Sequence, residues 1–107
     1  MTTPFELGDE MGPAKILHLA NSAVGLKAIV VVDNIACGPA IGGTRMAPDV
    51  SLEECARLAR AMTYKNAAAG LAHGGAKSVI FADPSMEREQ KETLIRAFAC
   101  SIRDVRG

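Results

Sequence analysis

Two lysines stand close to a glycine-rich turn in the second half of the chain. Lys65 follows the segment AMTY, and Lys77 follows the segment GLAHGGA, which begins at Gly70. If this turn reverses the chain, both ammonium groups reach one pocket, and two cations suit the carboxylate of a ligand. Repulsion between the cations and partial burial both favour the neutral form of one lysine, which can then accept a proton. The pair therefore predicts a site that holds a carboxylate and moves a proton.

A phosphate-binding loop is the first alternative for this segment, and it requires G-x-x-x-x-G-K-[ST] between a strand and a helix. Counting from Gly70, the second glycine falls at Gly75, but Ala76 occupies the lysine position and Lys77 leads into a strand. A dinucleotide fingerprint, G-x-G-x-x-G, is missing as well. Taken alone, Lys77 also fits a solvated charge at a strand edge. We expect these 107 residues to bind no nucleotide or dinucleotide cofactor.

Hydrophobic periodicity predicts the elements that must position the lysines. A β-branched apolar run indicates a strand covered on both faces, a capping-box spacing begins a helix, and glycines end that helix. The predicted elements are strands over Lys15–Asn21, Leu26–Ala36 and Lys77–Asp83 and helices over Leu52–Ala69 and Met86–Arg103. Because strands and helices alternate, the predicted fold class is α/β, a mostly parallel sheet with helices on both faces. The turns GPAIGG and GLAHGGAK are expected to face one cleft.

The composition argues against several classes of function. With 107 residues the chain has room for a single domain, over 1–107. Twelve basic residues balance twelve acidic ones and tryptophan is absent, so we expect no nucleic-acid partner. The longest apolar run, Ala28–Val32, is too short to span a membrane, and the N-terminal segment MTTPFELGDE is acidic where a signal peptide is basic. A cytoplasmic protein without a membrane partner is expected.

Cysteines and histidines give no sign of a metal site. Cys37, Cys55 and Cys100 are widely spaced and odd in number, which predicts reduced, buried thiols. His18 and His73 stand far apart, and no cysteine pair has C-x-x-C spacing.

Three segments in succession resemble a known family. The segments GPAIGGTRM, ARLARAMTYKNAAAGL and GGAKSVI are similar to the N-terminal domain of the glutamate/leucine/phenylalanine/valine dehydrogenases, over about Gly25 to Gly107. The resemblance implies oxidative deamination of an L-amino acid to its 2-oxo acid and ammonia. It also implies NAD or NADP, bound by a second, C-terminal domain that these residues do not include.

The resemblance assigns roles to individual residues of the three segments. Lys65 would hold the α-carboxylate of the substrate, and Lys77 would be the catalytic lysine that activates water against the imino intermediate. Gly42 and Gly43 would let the backbone approach the substrate closely. Met62 is grouped with the substrate-binding residues, although a packing role is the stronger alternative for it. Asn66 is expected to pack or orient its neighbours.

Residue 41 bears on the choice of substrate. Glutamate-specific members of the family resemble KGG at this point, and their lysine pairs with the side-chain carboxylate of glutamate. This chain has Ile41, which cannot neutralise a buried carboxylate. The resemblance therefore favours an apolar amino acid such as leucine, valine or phenylalanine, or its 2-oxo acid.

The family also uses a catalytic aspartate some tens of residues beyond the GGAK segment, and Asp104 stands too early to be given that role. We therefore expect the 107 residues alone to catalyse no hydride transfer. In the family this domain also builds subunit contacts, which predicts a homo-oligomer. The alternative is a free-standing, non-catalytic module that pairs with itself or binds a ligand.

Overall fold

A computed structural model describes residues 4–103 of the chain. A short 3-10 helix, Pro4–Leu7, precedes the sheet. The strands are β1 (Lys15–Asn21), β2 (Leu26–Val32), β3 (Ala40–Ile41), β4 (Thr44–Ala47) and β5 (Gly74–Phe81), and the helices are α1 (Leu52–Ala68) and α2 (Arg88–Ile102). These elements confirm the α/β class and the order strand, helix, strand, helix over the second half of the chain.

The sheet lies between the two helices because β2 is apolar on both faces. Its residues Leu26, Ala28, Val30 and Val32 pack with residues of α2 in one core cluster. The alternate residue Val31 packs instead with Cys55 and Ala59 of α1 in a second cluster. Successive side chains of a strand point to opposite faces, so a nearly continuous apolar run becomes the middle layer. The predicted arrangement of helices on both faces is confirmed.

Helix α1 begins where the capping box predicted. The side chain of Ser51 accepts a hydrogen bond from the backbone N–H of Glu54, at 3.1 Å. This bond satisfies one of the N–H groups that lack a partner within the first turn of a helix. The carboxylate of Glu54 pairs in turn with Arg45 of β4. The beginning of α1 is therefore tied both to its own cap and to the strand before it.

The predicted mostly parallel sheet was wrong in detail, because the sheet is mixed. The strand order is β1-β2-β5-β3, with β4 also on β5, and β1 with β2 and β2 with β5 pair antiparallel. A four-residue connection joins β1 to β2, and so short a link allows only an antiparallel pair. The parallel pairs are β3 with β5 and β4 with β5. The parallel strand–helix–strand unit is thus β4-α1-β5, and sequence patterns did not indicate the two short strands β3 and β4.

The prediction for the cysteines holds in part. All three thiols are free, but only Cys55 is buried, whereas Cys37 and Cys100 are exposed. Cys37 lies in the loop before β3, and Cys100 lies near the end of α2. Burial raises the pKa of the Cys55 thiol to about 11. Within residues 4–103, no helix has the length and apolar character needed to cross a membrane.

Candidate functional site

Lys77 lies in the middle of β5, on the face that α1 covers. It stands opposite Val31 of β2 and shares its face with Gly75 and Val79, both of which pack against α1. Its side chain is half-buried, and its Nζ lies 3.5 Å from the point that a Cβ on Gly43 would occupy. Among residues 4–103, no hydrogen-bond or salt-bridge partner holds this ammonium group. The side chain is thus placed beside a glycine and free to meet an anion.

A two-residue break in the sheet lies beside Lys77. Strand β3 ends at Ile41, which pairs with Gly75, and β4 begins at Thr44, which pairs with Ser78. Gly42 and Gly43 fill the gap, directly alongside Ala76 and Lys77. The backbone N–H of Ser78 donates to the carbonyl of Gly43 at 3.0 Å, so the break is fixed against β5. The structure therefore places the two glycine-rich turns side by side.

Glycine has a different structural role at each of the two positions of the break. A Cβ on Gly42 would stand 1.6 Å from the carbonyl oxygen of Ala76, so this glycine is required by the packing of the loop on β5. A Cβ on Gly43 would meet only the end of the Lys77 side chain. Gly43, and not Gly42, therefore leaves open space beside the ammonium group of Lys77.

The side chain of Ile41 is 41% exposed. It immediately precedes the glycine break and pairs with Gly75, two residues before Lys77. An exposed isoleucine therefore stands on the strand that pairs with the one carrying Lys77.

Lys65 and Met62 come from the last turns of α1, which packs on β5. Lys65 is exposed, and like Lys77 it has no hydrogen-bond or salt-bridge partner within the described residues. A cation in the last turn also faces the negative end of the helix dipole, which stabilises it there. Met62 is half-buried. Gly43 lies beside the ammonium group of Lys77. Lys65 and Met62 belong to α1, which packs on the strand that carries Lys77.

Asn66 fastens the end of α1 to the start of β5. It is 4% exposed, and its Nδ2 donates to the carbonyl of Gly74 at 2.7 Å. The backbone N–H of Leu71 donates to the carbonyl of Asn66 at 2.9 Å, which fixes the intervening turn. The orienting role expected of Asn66 is therefore present in the structure.

A polar network that no sequence pattern indicated is centred on Asp33, at the end of β2. Asp33 is 1% exposed, and its Oδ2 accepts hydrogen bonds from Thr63 Oγ1 at 2.8 Å and from Arg60 Nε at 2.7 Å. The two Nη groups of Arg60 donate to both oxygens of Asp9, each at 2.9 Å. The partners are up to 51 residues apart along the chain, so no local pattern marks them.

Electrostatics within this network follow from its hydrogen bonds. Donation from Arg60 lowers the pKa of Asp9 to about 2, and the backbone N–H of Met11 adds to the effect. The bonds to Asp9 and Asp33 raise the pKa of Arg60, which stays charged at every accessible pH. Within residues 4–103, the Oδ1 atom of Asp33 is buried and has no hydrogen-bond partner.

The glycines do not form a cradle for a dinucleotide. A Cβ on Gly74 would lie 1.4 Å from the carbonyl oxygen of Asn34, and one on Gly75 would lie 2.1 Å from the backbone N of Thr63. The space beside both glycines is therefore filled by neighbouring backbone, and the chain continues into β5 instead of a helix. This glycine-rich turn therefore lacks the open backbone and the following helix that bind a dinucleotide.

Other features of the described residues lie away from the lysines. A cavity of about 580 Å³ is lined by the turn after β1, the end of β5 and the first turns of α2, and it borders neither lysine. In the described part of the chain, no group of three or more His, Cys, Asp or Glu side chains is placed to hold a metal ion. Asp104 lies outside the described residues.

Comparison with known proteins identifies the family of the chain. The family described as Glu/Leu/Phe/Val dehydrogenase, dimerisation domain, matches residues 16–107. The chain belongs to this family of amino-acid dehydrogenases, whose members are NAD(P)-dependent.

Individual relatives point the same way. The chain is 44% identical over 97 residues to the leucine dehydrogenase of Geobacillus stearothermophilus, covering 87% of this chain and 26% of the relative. It is 41% identical over 103 residues to the valine dehydrogenase of Streptomyces virginiae, covering 92% of this chain and 28% of the relative. The chain thus spans less than a third of the length of these relatives.

A solved structure confirms the fold. The hetero-hexameric glutamate dehydrogenase from Thermus thermophilus, in its Leu-bound form, matches with a TM-score of 0.76 and 33% identity. The match covers 84% of this chain and 24% of the other.

Proposed function

We propose that these residues form the substrate-side part of an amino-acid dehydrogenase that oxidatively deaminates an apolar L-amino acid to its 2-oxo acid. The observation that carries the proposal is the half-buried, unpaired ammonium group of Lys77 beside Gly43. A cation held without a partner favours the binding of an anion, because a charge that is partly removed from water gains most from a hydrogen-bonded counter-charge.

In this proposal each residue has a distinct part. Lys65 binds the α-carboxylate, and Lys77 activates the water that attacks the imino intermediate. Gly43 lets the substrate approach Lys77 because no Cβ covers the ammonium group. Gly42 and Met62 line the site by shaping the loop and the end of α1.

Ile41 supports an apolar side chain on the substrate. Its exposed surface precedes the glycine break, and it carries no charge to pair with a second carboxylate. Burying the side-chain carboxylate of glutamate without a partner would cost several kcal/mol. The names of the relatives, leucine and valine dehydrogenase, are in line with this preference.

The cofactor belongs to residues outside this chain in our proposal. The full-length enzyme uses NAD or NADP, while the 107 residues by themselves bind substrate and form no reduced cofactor. We place the protein in the cytoplasm, in keeping with three free thiols.

Calorimetric titration of the chain tests the substrate site. We expect heat of binding with L-leucine or its 2-oxo acid and weaker binding of L-glutamate. Lys77→Ala is expected to remove at least nine-tenths of the affinity, whereas Lys91→Ala, a lysine of α2, serves as the matched control and leaves it unchanged. Tighter binding of glutamate than of leucine would refute the proposed preference.

Self-association is the second candidate function. It is favoured by the match to a dimerisation domain, which predicts a homo-oligomer. Light scattering over a range of protein concentrations tests it. A mass that stays that of a monomer, 11.2 kDa, at every concentration would rule out pairing of this chain and leave ligand binding unaffected.

A further inference from the structure

One face of α1 carries three polar side chains that donate hydrogen bonds to the ends of β2 and β5 nearest the candidate site. Arg60, Thr63 and Asn66 follow one another at intervals of three residues, and such positions share a face of a helix. The first two donate to Asp33 at the end of β2. The third donates to Gly74 at the start of β5. The second half of α1 is therefore held by polar bonds as well as by apolar packing.

Asp33 joins this helix face to the strand that carries Lys77. Its side chain accepts from Thr63 at 2.8 Å, and its backbone N–H donates to the carbonyl of Gly75 at 2.9 Å. Lys65 stands two residues after Thr63, and Lys77 stands two residues after Gly75. A single buried residue thus bonds to both segments that carry the lysines.

Helix α1 and strand β5 are in close backbone contact at Gly75. A Cβ on Gly75 would lie 2.5 Å from Thr63 Oγ1 and 2.4 Å from the carbonyl oxygen of Ala59. The glycine lets the two backbones touch, and the bond from Thr63 to Asp33 fixes the rotation of the helix at the point of contact.

Stability alone does not account for a carboxylate at this position. Asp33 is 1% exposed, yet its Oδ1 has no hydrogen-bond partner among the residues that the structure describes. A buried charge whose hydrogen bonds are incomplete costs folding free energy, and apolar residues often replace such groups without loss of stability. What the carboxylate supplies and an apolar residue cannot is a directional bond to a chosen atom of α1.

We propose that Asp33, acting through Thr63, is a positioning residue that sets the location of Lys65 relative to Lys77. The inference rests on the proposed function, since it assumes that the two lysines hold one ligand. Neither residue touches that ligand in this account. Their effect is on the distance and direction between two ammonium groups that must meet the same molecule.

The test uses the 107-residue chain, with L-leucine and 4-methyl-2-oxopentanoate as probes in calorimetry. Thr63→Val keeps the shape of the side chain and removes the hydroxyl group, and Thr63→Ser restores the hydroxyl. Phe98→Leu, in the apolar cluster on the opposite face, is the control for lost stability. We expect Thr63→Val to weaken binding at least fivefold and the other two variants to stay within twofold of the original chain. Equal affinity of Thr63→Val and the original chain would overturn the proposal, as would an equal loss in Phe98→Leu.

A second measurement needs no ligand. Amide hydrogen exchange, followed by NMR, reports the bond from the Asp33 N–H to Gly75. In Thr63→Val we expect this amide to exchange at least tenfold faster while the amide of Val30 keeps its rate. Uniform acceleration of both amides would mean a general loss of stability and would overturn the positioning role.

The two measurements separate the proposals. If the original chain binds neither probe, the proposed function fails, and exchange at Asp33 alone decides the positioning role. If Thr63→Val does not fold, Asp33→Asn replaces it, because it is isosteric and weakens the same bonds. We expect the same loss of affinity and the same local exchange from that variant.

Discussion

Replacing Gly75 by alanine is the sharpest test of how α1 is placed on the sheet. The added Cβ would lie 2.1 Å from the backbone N of Thr63 and 2.4 Å from the carbonyl oxygen of Ala59. Both are backbone atoms of a helix, so neither can turn aside as a side chain can. To reach the 3.4 Å at which ordinary contact begins, α1 would have to retreat by about 1.3 Å.

The expected cost follows from that displacement. Overpacking of a core costs about 1–3 kcal/mol, and a clash with backbone lies at the upper end of that range. The shift also strains the bond between Thr63 and Asp33, which contributes about 1 kcal/mol more. A loss of about 3–4 kcal/mol is large beside the stability of about 5–15 kcal/mol that is usual for a domain of this size.

Urea unfolding followed by circular dichroism measures this loss, and Gly43→Ala is the matched control. A Cβ on Gly43 would meet only Lys77 Nζ, at 3.5 Å, and the backbone there is not in the positive-φ region. We expect the control to change the free energy of unfolding by no more than about 0.5 kcal/mol. If Gly75→Ala proves as stable as the original chain, or if both variants lose the same amount, the packing described for α1 and β5 is wrong.

Other predictions concern ionisation and thiol chemistry. The Asp9 carboxyl should titrate with a midpoint near pH 2 in an NMR titration, because Arg60 lowers its pKa to about 2, and Arg60→Gln should return the midpoint toward 3.8. Since the folded pKa is the lower one, the contribution of this pair to stability is complete above pH 3.8 and is lost as the pH falls through 2; an unchanged midpoint in the variant would contradict this. At pH 8, Cys37 and Cys100 should react with a thiol reagent within minutes, while Cys55, which is buried and has a pKa of about 11, should react only on unfolding. Three thiols modified at one rate in native buffer would show that the core around Cys55 opens freely.

The elements that could be predicted are those with a strong local signal. Strand β1 has the predicted bounds, and β2 and α1 begin at the predicted residues. Apolar periodicity and the Ser51 cap depend only on residues that are close together in the sequence. Strand β5 begins at Gly74, three residues before the predicted start. The two glycines at its beginning indicate a turn by composition, yet here they allow close packing of the strand against its neighbours.

What could not be predicted depends on contacts between distant segments. Strands β3 and β4 have two and four residues, and they are held in place by β5 instead of by their own sequence. The missed strands explain why the sheet is mixed, since they insert a reversal between β2 and α1. Asp33 likewise follows an apolar run, and no sequence periodicity distinguishes it. Its hydrogen-bond partners lie 27 and 30 residues further along the chain.

The sequence singled out residues of the candidate site but assigned no role to the network around Asp33. Lys77 and Gly43 are adjacent in the structure, and the resemblance to a family had singled out both. The roles of Lys65, Ile41 and Met62 in binding stay predictions. The residues that support the site could not be predicted, because hydrogen bonds between distant segments follow no fixed spacing in the sequence.

An NMR titration of the isotopically labelled chain with L-leucine tests the central claim most directly. The claim is that an apolar amino acid binds between the end of α1 and the glycine break beside β5. We predict that the largest changes in amide chemical shift occur at Gly43, Lys65 and Lys77 and saturate with ligand concentration. Changes confined to the cavity beside α2, around Met86 and Leu94, would contradict the account, and so would a spectrum that does not change at any ligand concentration.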